Sequence, residues 1–464
     1  MKSFREYVPE QALLLPESLD DWLPAGHLAR FVSDVVEELD LAAVYGAYEK
    51  DGRGQSAYHP LMLSKVLIYG YATGKLASRK LERACQEEVP YRYLSANQQP
   101  DHDTIATFRR RHLRALGGLF VEVLHLCQKA GLVKLGHVAI DGTKMKANAS
   151  RSKTKGYEKL GEEERQLQQQ VEQILAEAEA ADRADDEKYG KGRRGDELPQ
   201  ELADRESRLK KIREAKAALE REAREEAERK REEAEEAAAE RQARAEQQGR
   251  KLGGRPPRPL DPELGKPKAT TAGNTTDPDS RLLKCTGGKG FLQGYNAQAA
   301  VDQEHQVVVA AEVVQDRHDR AQLNPMLEQV RANTGTMPQT ASADTGYYSP
   351  RQVRKAESKG VDLYVKPAKP PKHNPQVPES ARKRTIAARL RQKLETEQGR
   401  AIYGKRRETV EPVFGQIKEC RGIRAFLLRG LGKVRSEWRL ICLAHNLRKL
   451  WRSGWTPRMS PAAA

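Results

Sequence analysis

The sequence predicts a mixed α/β protein: a small set of strands, split by a long charged helical arm and preceded by an all-helical segment. Three observations predict it. Apolar residues in the first 135 positions recur at helical spacing, and residues 136–148 and 284–365 change to the alternation of strands. Between these strand regions lies 151–270, where 29 basic and 30 acidic residues leave little to bury. The length, 464 residues, suits two or three domains. No run of about 18 apolar residues occurs, which excludes a helical membrane span. Met1 is followed by Lys2, Glu6 and Glu10 without an apolar run and small-residue cleavage site, so no secretory signal is expected. The cysteines, Cys85, Cys127, Cys285, Cys420 and Cys442, are scattered and form no CxxC pair. That pattern argues against a zinc knuckle or disulfide scaffold and for a reducing, cytoplasmic setting.

Each element follows in order. Residues 1–135 read as short helices. Leu28, Phe31, Val32, Val35 and Val36 mark one; His59-Pro60 opens a second, carrying Leu61, Leu63, Val66, Leu67 and Tyr71; Gly74 breaks it before a third over Ser78–Glu87. Asp103 is the expected N-cap of a helix that begins at Thr104 and displays Arg109, Arg110, Arg111 and His112. Short helices ending in an arginine-rich one suit a helix-turn-helix-like DNA reader; a helical domain with a solvated basic face is the alternative. In "GHVAIDGTKMKAN" a short strand is expected, with Asp141 ending its apolar run.

Within 151–270, Leu160, Leu167 and Ile174 fall seven apart, and Leu202, Leu209, Ile212 and Leu219 repeat the pattern after "YGKGRRGDELP". The spacing predicts a helical hairpin of coiled-coil type, followed by the linker "GGRPPRPLDPELGKPK". "FLQGYNAQAAVD" and "QVVVAAEVVQD" then read as neighbouring strands, Arg320 to Arg331 as a helix, "QTASADTGYYS" as a strand ending at Asp344 and "VDLYVKP" as another. The Pro/Lys-rich "KPAKPPKHNPQVP" reads as a loop, and the rest as helical. One domain interrupted by an insertion explains the two strand regions, because neither alone can bury two faces; three independent beads are the alternative.

The charge is unevenly placed. The chain carries 82 Lys+Arg and 66 Asp+Glu, net +16, yet 28 basic against 9 acidic residues fall in 351–464. A concentrated basic surface draws a polyanion and releases its counterions, so nucleic acid is the first partner to consider. Val413, Phe414, Ile417, Phe426, Leu427 and Leu428 interleave with these cations, a pattern foreign to a disordered tail.

Three carboxylates stand among apolar neighbours: Asp141 beside Ala139 and Ile140, Asp344 beside Ala341 and Ala343, and Glu411 between Val410 and Val413. Such groups carry a desolvation cost unless paired or metal-bound. If they converge they repel one another, and hard divalent cations, Mg²⁺ or Mn²⁺, would relieve that repulsion. Two ions about 4 Å apart would activate a water or 3′-hydroxyl for phosphodiester chemistry. Taken singly, an aspartate at a strand end also forms turns and a glutamate in a first helical turn also meets the dipole. Asp302, Asp316 and Asp319 compete for the same role.

Together, "AIDGTKMKANAS", "NTTDPDSRLLK…GFLQGYNAQAAVD", "ADTGYYSP" and "YGKRRETVEPVFGQIKECRGIRAFLLRG" resemble a bacterial insertion-sequence transposase of the DDE type. The N-terminal "HPLMLSKVLIYGYATGKLASRKLERACQEEVPYRYLSANQQPDHDTIATFRRRH" resembles the helical domain that accompanies it, so the likeness runs from Pro9 to about Arg452. The resemblance implies a ribonuclease-H-like mixed sheet flanked by helices over 136–150 and 271–464, with 1–135 a helical DNA-binding domain and 151–270 a charged insertion. It implies Asp141, Asp344 and Glu411 as both catalytic and metal-binding residues holding two Mg²⁺ ions, with Mn²⁺ as substitute. It carries a Tyr-Arg-Glu-Lys signature, matched by Tyr403 and Lys418; Arg406 and Arg407 share the arginine position, because the usual spacing does not satisfy both. Tyr403, Arg406, Arg407, Lys418 and the Arg109–Arg111 run are the expected DNA contacts. Expected partners are double-stranded DNA at terminal inverted repeats and at the target, and a second copy of the chain, with the protein associated with the nucleoid.

The arm leaves 203 residues between Asp141 and Asp344 and is read as a dimerisation or DNA-gripping device, or as a passive coiled coil. "TGGKG" lacks P-loop spacing, so no nucleotide cofactor is expected. His445 and Asn446 read as core residues of "WRLICLAHNLRKLW". Cleavage at element ends followed by strand transfer is the expected reaction. A nuclease of the same core without strand transfer and a silent DNA-binding regulator are the rivals.

Overall fold

The computed structural model describes residues 18–48, 57–189, 200–247, 265–285, 290–368 and 385–457. The expected turn within 190–199, most of the linker, the residues 286–289 of "TGGKG" and the Pro/Lys-rich stretch past 368 lie outside them.

The first third is helical: α1 (Leu19–Trp22), α2 (Leu28–Glu38), α3 (Ala42–Tyr45), α4 (Pro60–Thr73), α5 (Ser78–Glu87), α6 (Val89–Leu94) and α7 (His102–Lys129). Pro60 opens α4 at a position where its missing N–H is harmless, and Gly74 closes it with φ +84°. A side chain at Gly74 is doubly excluded, because its Cβ would lie 2.2 Å from the Arg421 carbonyl oxygen. The N-cap of α7 differs from expectation. Asp101 accepts the Thr104 amide at 2.6 Å, so the helix starts at His102 and Asp103 lies in its first turn. The residue two places earlier wins because its extended backbone aims the carboxylate back along the helix axis.

β1 (His137–Lys146) comes next, then the short β2 (Thr154–Gly156), the long helices α8 (Tyr157–Tyr189) and α9 (Gln200–Gln247), and β3 (Ala272–Asn274). After them come β4 (Arg281–Lys284), β5 (Phe291–Asp302), β6 (Val308–Val314), α10 (Leu323–Thr334), β7 (Thr340–Ala343), α11 (Pro350–Glu357) and β8 (Asp362–Val365). The chain closes with α12 (Ile386–Glu395), α13 (Glu397–Gly415), a π-helical turn at Gln416–Cys420 and α14 (Leu431–Arg452).

Six strands form one mixed sheet in the order β4-β5-β1-β7-β8, with β6 also on β5. β5 runs antiparallel to β1, β4 and β6, whereas β1, β7 and β8 are parallel. β1 continues five residues beyond Asp141, which is thus mid-strand rather than at the end of the strand. The polar half, Gly142 to Lys146, is held by pairing with β5 from Gly294 to Gln298, an interaction between distant segments that local apolar pattern does not reveal.

α8 and α9 pack through Leu160, Leu167, Leu209, Ile212 and Leu219, five residues of the seven-residue pattern, with Ala215 added; Ile174 and Leu202 lie outside this cluster. Their base is a two-stranded ladder, β2 with β3, registering Gly156 against Ala272. A separate and continuous apolar core runs from Leu23 and α4 through α7 and α14 into the sheet residues Ile140, Ala299 and Val309. Trp438 of α14 is fully buried and donates its indole N–H to the Gln298 carbonyl at 2.9 Å. α13 crosses β1, β5, β7 and β8. Among the described residues no helix is long and apolar enough to cross a membrane.

Candidate active site

The parallel pairing of β1 and β7 puts Ile140 opposite Ala343, so Asp141, next along β1 and still paired with β5, stands beside Asp344, the first residue past the end of β7. Asp344 N-caps a 3₁₀ turn, Thr345–Tyr347, accepting the Gly346 amide at 2.7 Å. Asp141 accepts its neighbour's amide, Gly142 N–H, at 2.8 Å and takes an ion pair from Arg406 Nη1 at 2.7 Å. Burial pushes the Asp141 carboxyl up to about 6; Arg406 opposes that rise, and the charges of Asp344 and Asp319 add to it.

Asp319 is the third carboxylate at this point. Its Oδ1 accepts from Asn296 Nδ2 and Gln298 Nε2, each at 2.7 Å. Both amides come from β5, and Gln298 lies opposite Gly142 in the ladder. A Cβ on Gly142 would meet Gln298 Nε2 at 2.5 Å, Asn296 Oδ1 at 2.9 Å and Asp319 Oδ1 at 3.0 Å, so glycine is what admits this network beside Asp141. The buried Tyr347 hydroxyl bonds Gln298 Oε1, and its pKa is raised by burial and by the charges of Asp319, Asp141 and Asp344 together. Asp319 stood among the competing carboxylates in the sequence. Nothing local singled out Asn296, Gln298 or Tyr347, whose roles depend on strand register.

α13 separates the remaining expected residues by face. Arg406 turns inward, 8 % exposed, and lies over the Tyr403 ring at 5.8 Å. Arg407 turns outward and stands 4.0 Å from Glu411, whose side chain is 59 % exposed. Lys418, in the π-helical turn, reaches β1, donating to Thr143 Oγ1 and, at 2.9 Å, to the Lys144 carbonyl. Burial lowers the Lys418 pKa. The structure therefore brings Asp141, Asp344, Asp319 and Arg406 together and leaves Glu411 on the outer flank of α13. Among the described residues no three His, Cys, Asp or Glu side chains are grouped to hold a metal ion. The expected gathering of all three carboxylates is thus not seen among the described residues, and the reason is helical geometry: Arg406 projects inward from α13 onto Asp141, whereas Glu411, five residues on, projects from a different face toward solvent. The donor chemistry nevertheless fits a hard divalent cation. Every donor is a carboxylate oxygen, and burial of Asp141, with the Asp344 and Asp319 charges added, leaves its carboxyl raised despite the Arg406 charge.

The arginine run of α7 does not form one surface. Consecutive helical residues point about 100° apart. Arg109 is buried, donates to the Leu76 carbonyl at 2.5 Å and lies over Tyr71. Arg110 and Arg111 are exposed, and Arg111 bonds the Ala47 carbonyl and lies over Tyr48.

Two family models match the chain. One, described as "Transposase DDE domain", covers residues 269–447; the other, described as "Transposase domain (DUF772)", covers residues 17–111. The first begins beyond the arm, so β1 with Asp141 lies outside it and joins its strands through the sheet. No curated protein and no solved structure matches the chain.

Proposed function

The chain belongs to the DDE-type insertion-sequence transposases, and from that premise we propose that it hydrolyses phosphodiesters at element ends and transfers the freed 3′-hydroxyl into target DNA. The observation that carries the reading is the meeting of Asp141 and Asp344 where the parallel pairing of β1 and β7 ends, far apart in sequence yet with Asp141 in the field of Asp344. The strand order supports a ribonuclease-H-like core: β6, β5 and β1 antiparallel, then β7 and β8 parallel to β1. On this reading α8 and α9 are an insertion between β1 and the remaining strands of the sheet.

The family works with divalent metal ions. Asp141 and Asp344 would hold Mg²⁺, with Glu411 as third carboxylate. Two anchors support that role for Glu411: Arg406 of α13 and Lys418 of the π-helical turn that continues it flank Glu411 in sequence, and both land on β1, at Asp141 and at Thr143–Lys144. A bound cation supplies Lewis acidity, lowering the pKa of the attacking water or hydroxyl and stabilising the leaving oxygen.

The chain's own groups do the positioning. Arg406 pairs with Asp141 and would be available to a phosphate if that carboxylate held a cation. Asn296 and Gln298 fix Asp319, so its charge faces Asp141 without swinging into the site. Lys418 and Arg407 present positive charge along the flank of α13 where a DNA backbone would pass.

The test is excision and joining from a supercoiled plasmid bearing the element's ends, comparing the natural chain with Asp344→Asn. Loss of both cut and joined products in the variant is expected. Unchanged excision overturns the assignment, and cut products never followed by joined ones in the natural chain overturn strand transfer.

A further inference from the structure

A hollow of about 190 Å³ lies between the two C-terminal helices, lined by Gln306, Pro412, Gln416, His445, Arg448, Lys449 and Arg452. Three of its residues are cations and none is a carboxylate. The cations are held at its rim by neutral partners. Lys449 Nζ donates to Gln306 Oε1 at 2.8 Å, and Arg448 Nη1 donates to the Ala72 carbonyl at 2.9 Å. Arg452 makes no hydrogen bond or ion pair among the described residues. A fourth cation, Arg421, is buried and lies within the field of Arg448, whose charge helps burial to lower its pKa; its Nε and Nη2 have no partner among the described residues. Burial and the Arg452 charge depress both Arg448 and Lys449, as expected where like charges crowd without a counter-charge.

His445 adds no charge. Burial and the neighbouring cations push it down to about 3, and its ring ties Gln416 to the Gln306 carbonyl, stiffening the wall. The end of α14 accounts for some positive charge, because cations suit a helix C-terminus. It does not account for their enclosure around a hollow with a proline and two glutamines. At about 30 Å³ per water, the space admits a tetrahedral oxyanion with part of its hydration. Pro412 and Gln416 lie on a different flank of α13 and its continuation from Arg407, Glu411 and Lys418, by about 100° per residue. An anion here is therefore outside the acidic site.

We propose that this hollow binds a backbone phosphate of duplex DNA, holding the duplex at a point away from the cleavage site; the assignment of DNA as ligand rests on the function proposed above. The residues that take the phosphate are Lys449 and Arg452, with Arg448 behind them. Base identity plays no part, because nothing in the lining offers a groove-reading element.

The experiment uses the full chain and fluorescent duplex DNA of arbitrary sequence, with affinity measured across salt concentrations. The double variant Lys449→Gln, Arg452→Gln is expected to bind about tenfold weaker or worse, and its slope of log affinity against log salt to fall by roughly 2, one for each lost contact. Its thermal melt should stay near that of the natural chain. If the double variant does not fold, Arg452→Gln alone carries the test, with a slope change of about 1. Equal affinity and equal slope overturn the pocket while leaving the transposase reading intact, since Asp344→Asn tests cleavage independently. No DNA binding by the natural chain overturns both. A parallel titration with inorganic phosphate separates the sources: saturable stabilisation of the natural chain, absent in the variant and with DNA affinity equal in both, makes this a free-anion site and overturns the DNA assignment.

Discussion

Asp141 is a carboxylate in tension, since burial and two neighbouring aspartates favour its protonated form while Arg406 favours the charged one. That balance predicts how cation binding follows pH. The folded pKa lies near 6, above the ordinary 3.8, so below about pH 6 a proton occupies the oxygen that a divalent ion needs. Affinity for Mn²⁺ should rise about tenfold per pH unit up to that point and then level off. Calorimetric titration of the cation at pH 5, 6, 7 and 8 reads this directly, and a flat profile would remove Asp141 from the ligand set. Stability runs the other way. A raised carboxyl pKa contributes most when the group is neutral, so its contribution is present below pH 3.8 and is lost as pH climbs toward 6. Asp141 and Asp344 were legible because each is a lone acid at the end of an apolar run. Their supporting residues were not, because Asn296 and Gln298 matter only through the register that sets Gln298 against Gly142.

Elements with strong local signals were read closely: α4 between Pro60 and Gly74, α5 over Ser78–Glu87, and the packing seam of α8 and α9. Elements that depend on distant partners were not. β3 and β4 are three and four residues long, and α11 is short and highly charged. α9 does more than pack on α8. Its Glu222 pairs with Arg281 of β4 at 2.7 Å, Arg229 stands 3.8 Å from Asp316, and Glu233 and Glu236 meet Arg351. These contacts differ in weight. Arg281 is 2 % exposed, with Nη1 donating to the Pro278 and Ser280 carbonyls, whereas Arg351 and Arg229 are well exposed. Removing the partner of a buried cation costs far more than removing a surface pair. Glu222→Ala should destabilise β4 by about 2 kcal/mol, below the value for a wholly buried pair because Glu222 is itself partly open to water. Glu233→Ala should cost well under 1 kcal/mol. Amide exchange at Leu282 and Leu283 measures both; equal effects would mean that Arg281 is solvated in solution.

At the scale of the whole molecule, the helical arm and the sheet bury their apolar residues separately. The main core joins the N-terminal helices to the sheet through α7 and α14, while Leu160, Leu167 and their partners form a cluster of their own. The heptad pattern made the second cluster legible. The sharing of the first did not show, because helical periodicity says which face is apolar and not what covers it. Separate cores predict separable folding. The arm leaves and re-enters at one place: Gly156 pairs with Ala272, and the Tyr157 amide donates to the Thr271 carbonyl at 2.9 Å. A turn of two to four residues can bridge such ends. Replacing 158–270 with a short Gly/Asn turn should therefore leave β1 paired with β5 and β7, and keep Asp141 beside Asp344. The buried charge left without its partner is Arg281, which loses Glu222, and Arg281→Met in the same chain takes out that unpaired charge. The shortened double variant should melt cooperatively and retain the pH-dependent Mn²⁺ binding expected of Asp141, whereas the shortened chain with Arg281 intact should melt lower. If neither version folds, the arm is part of the structural core despite its separate apolar cluster, and reading it as an insertion fails.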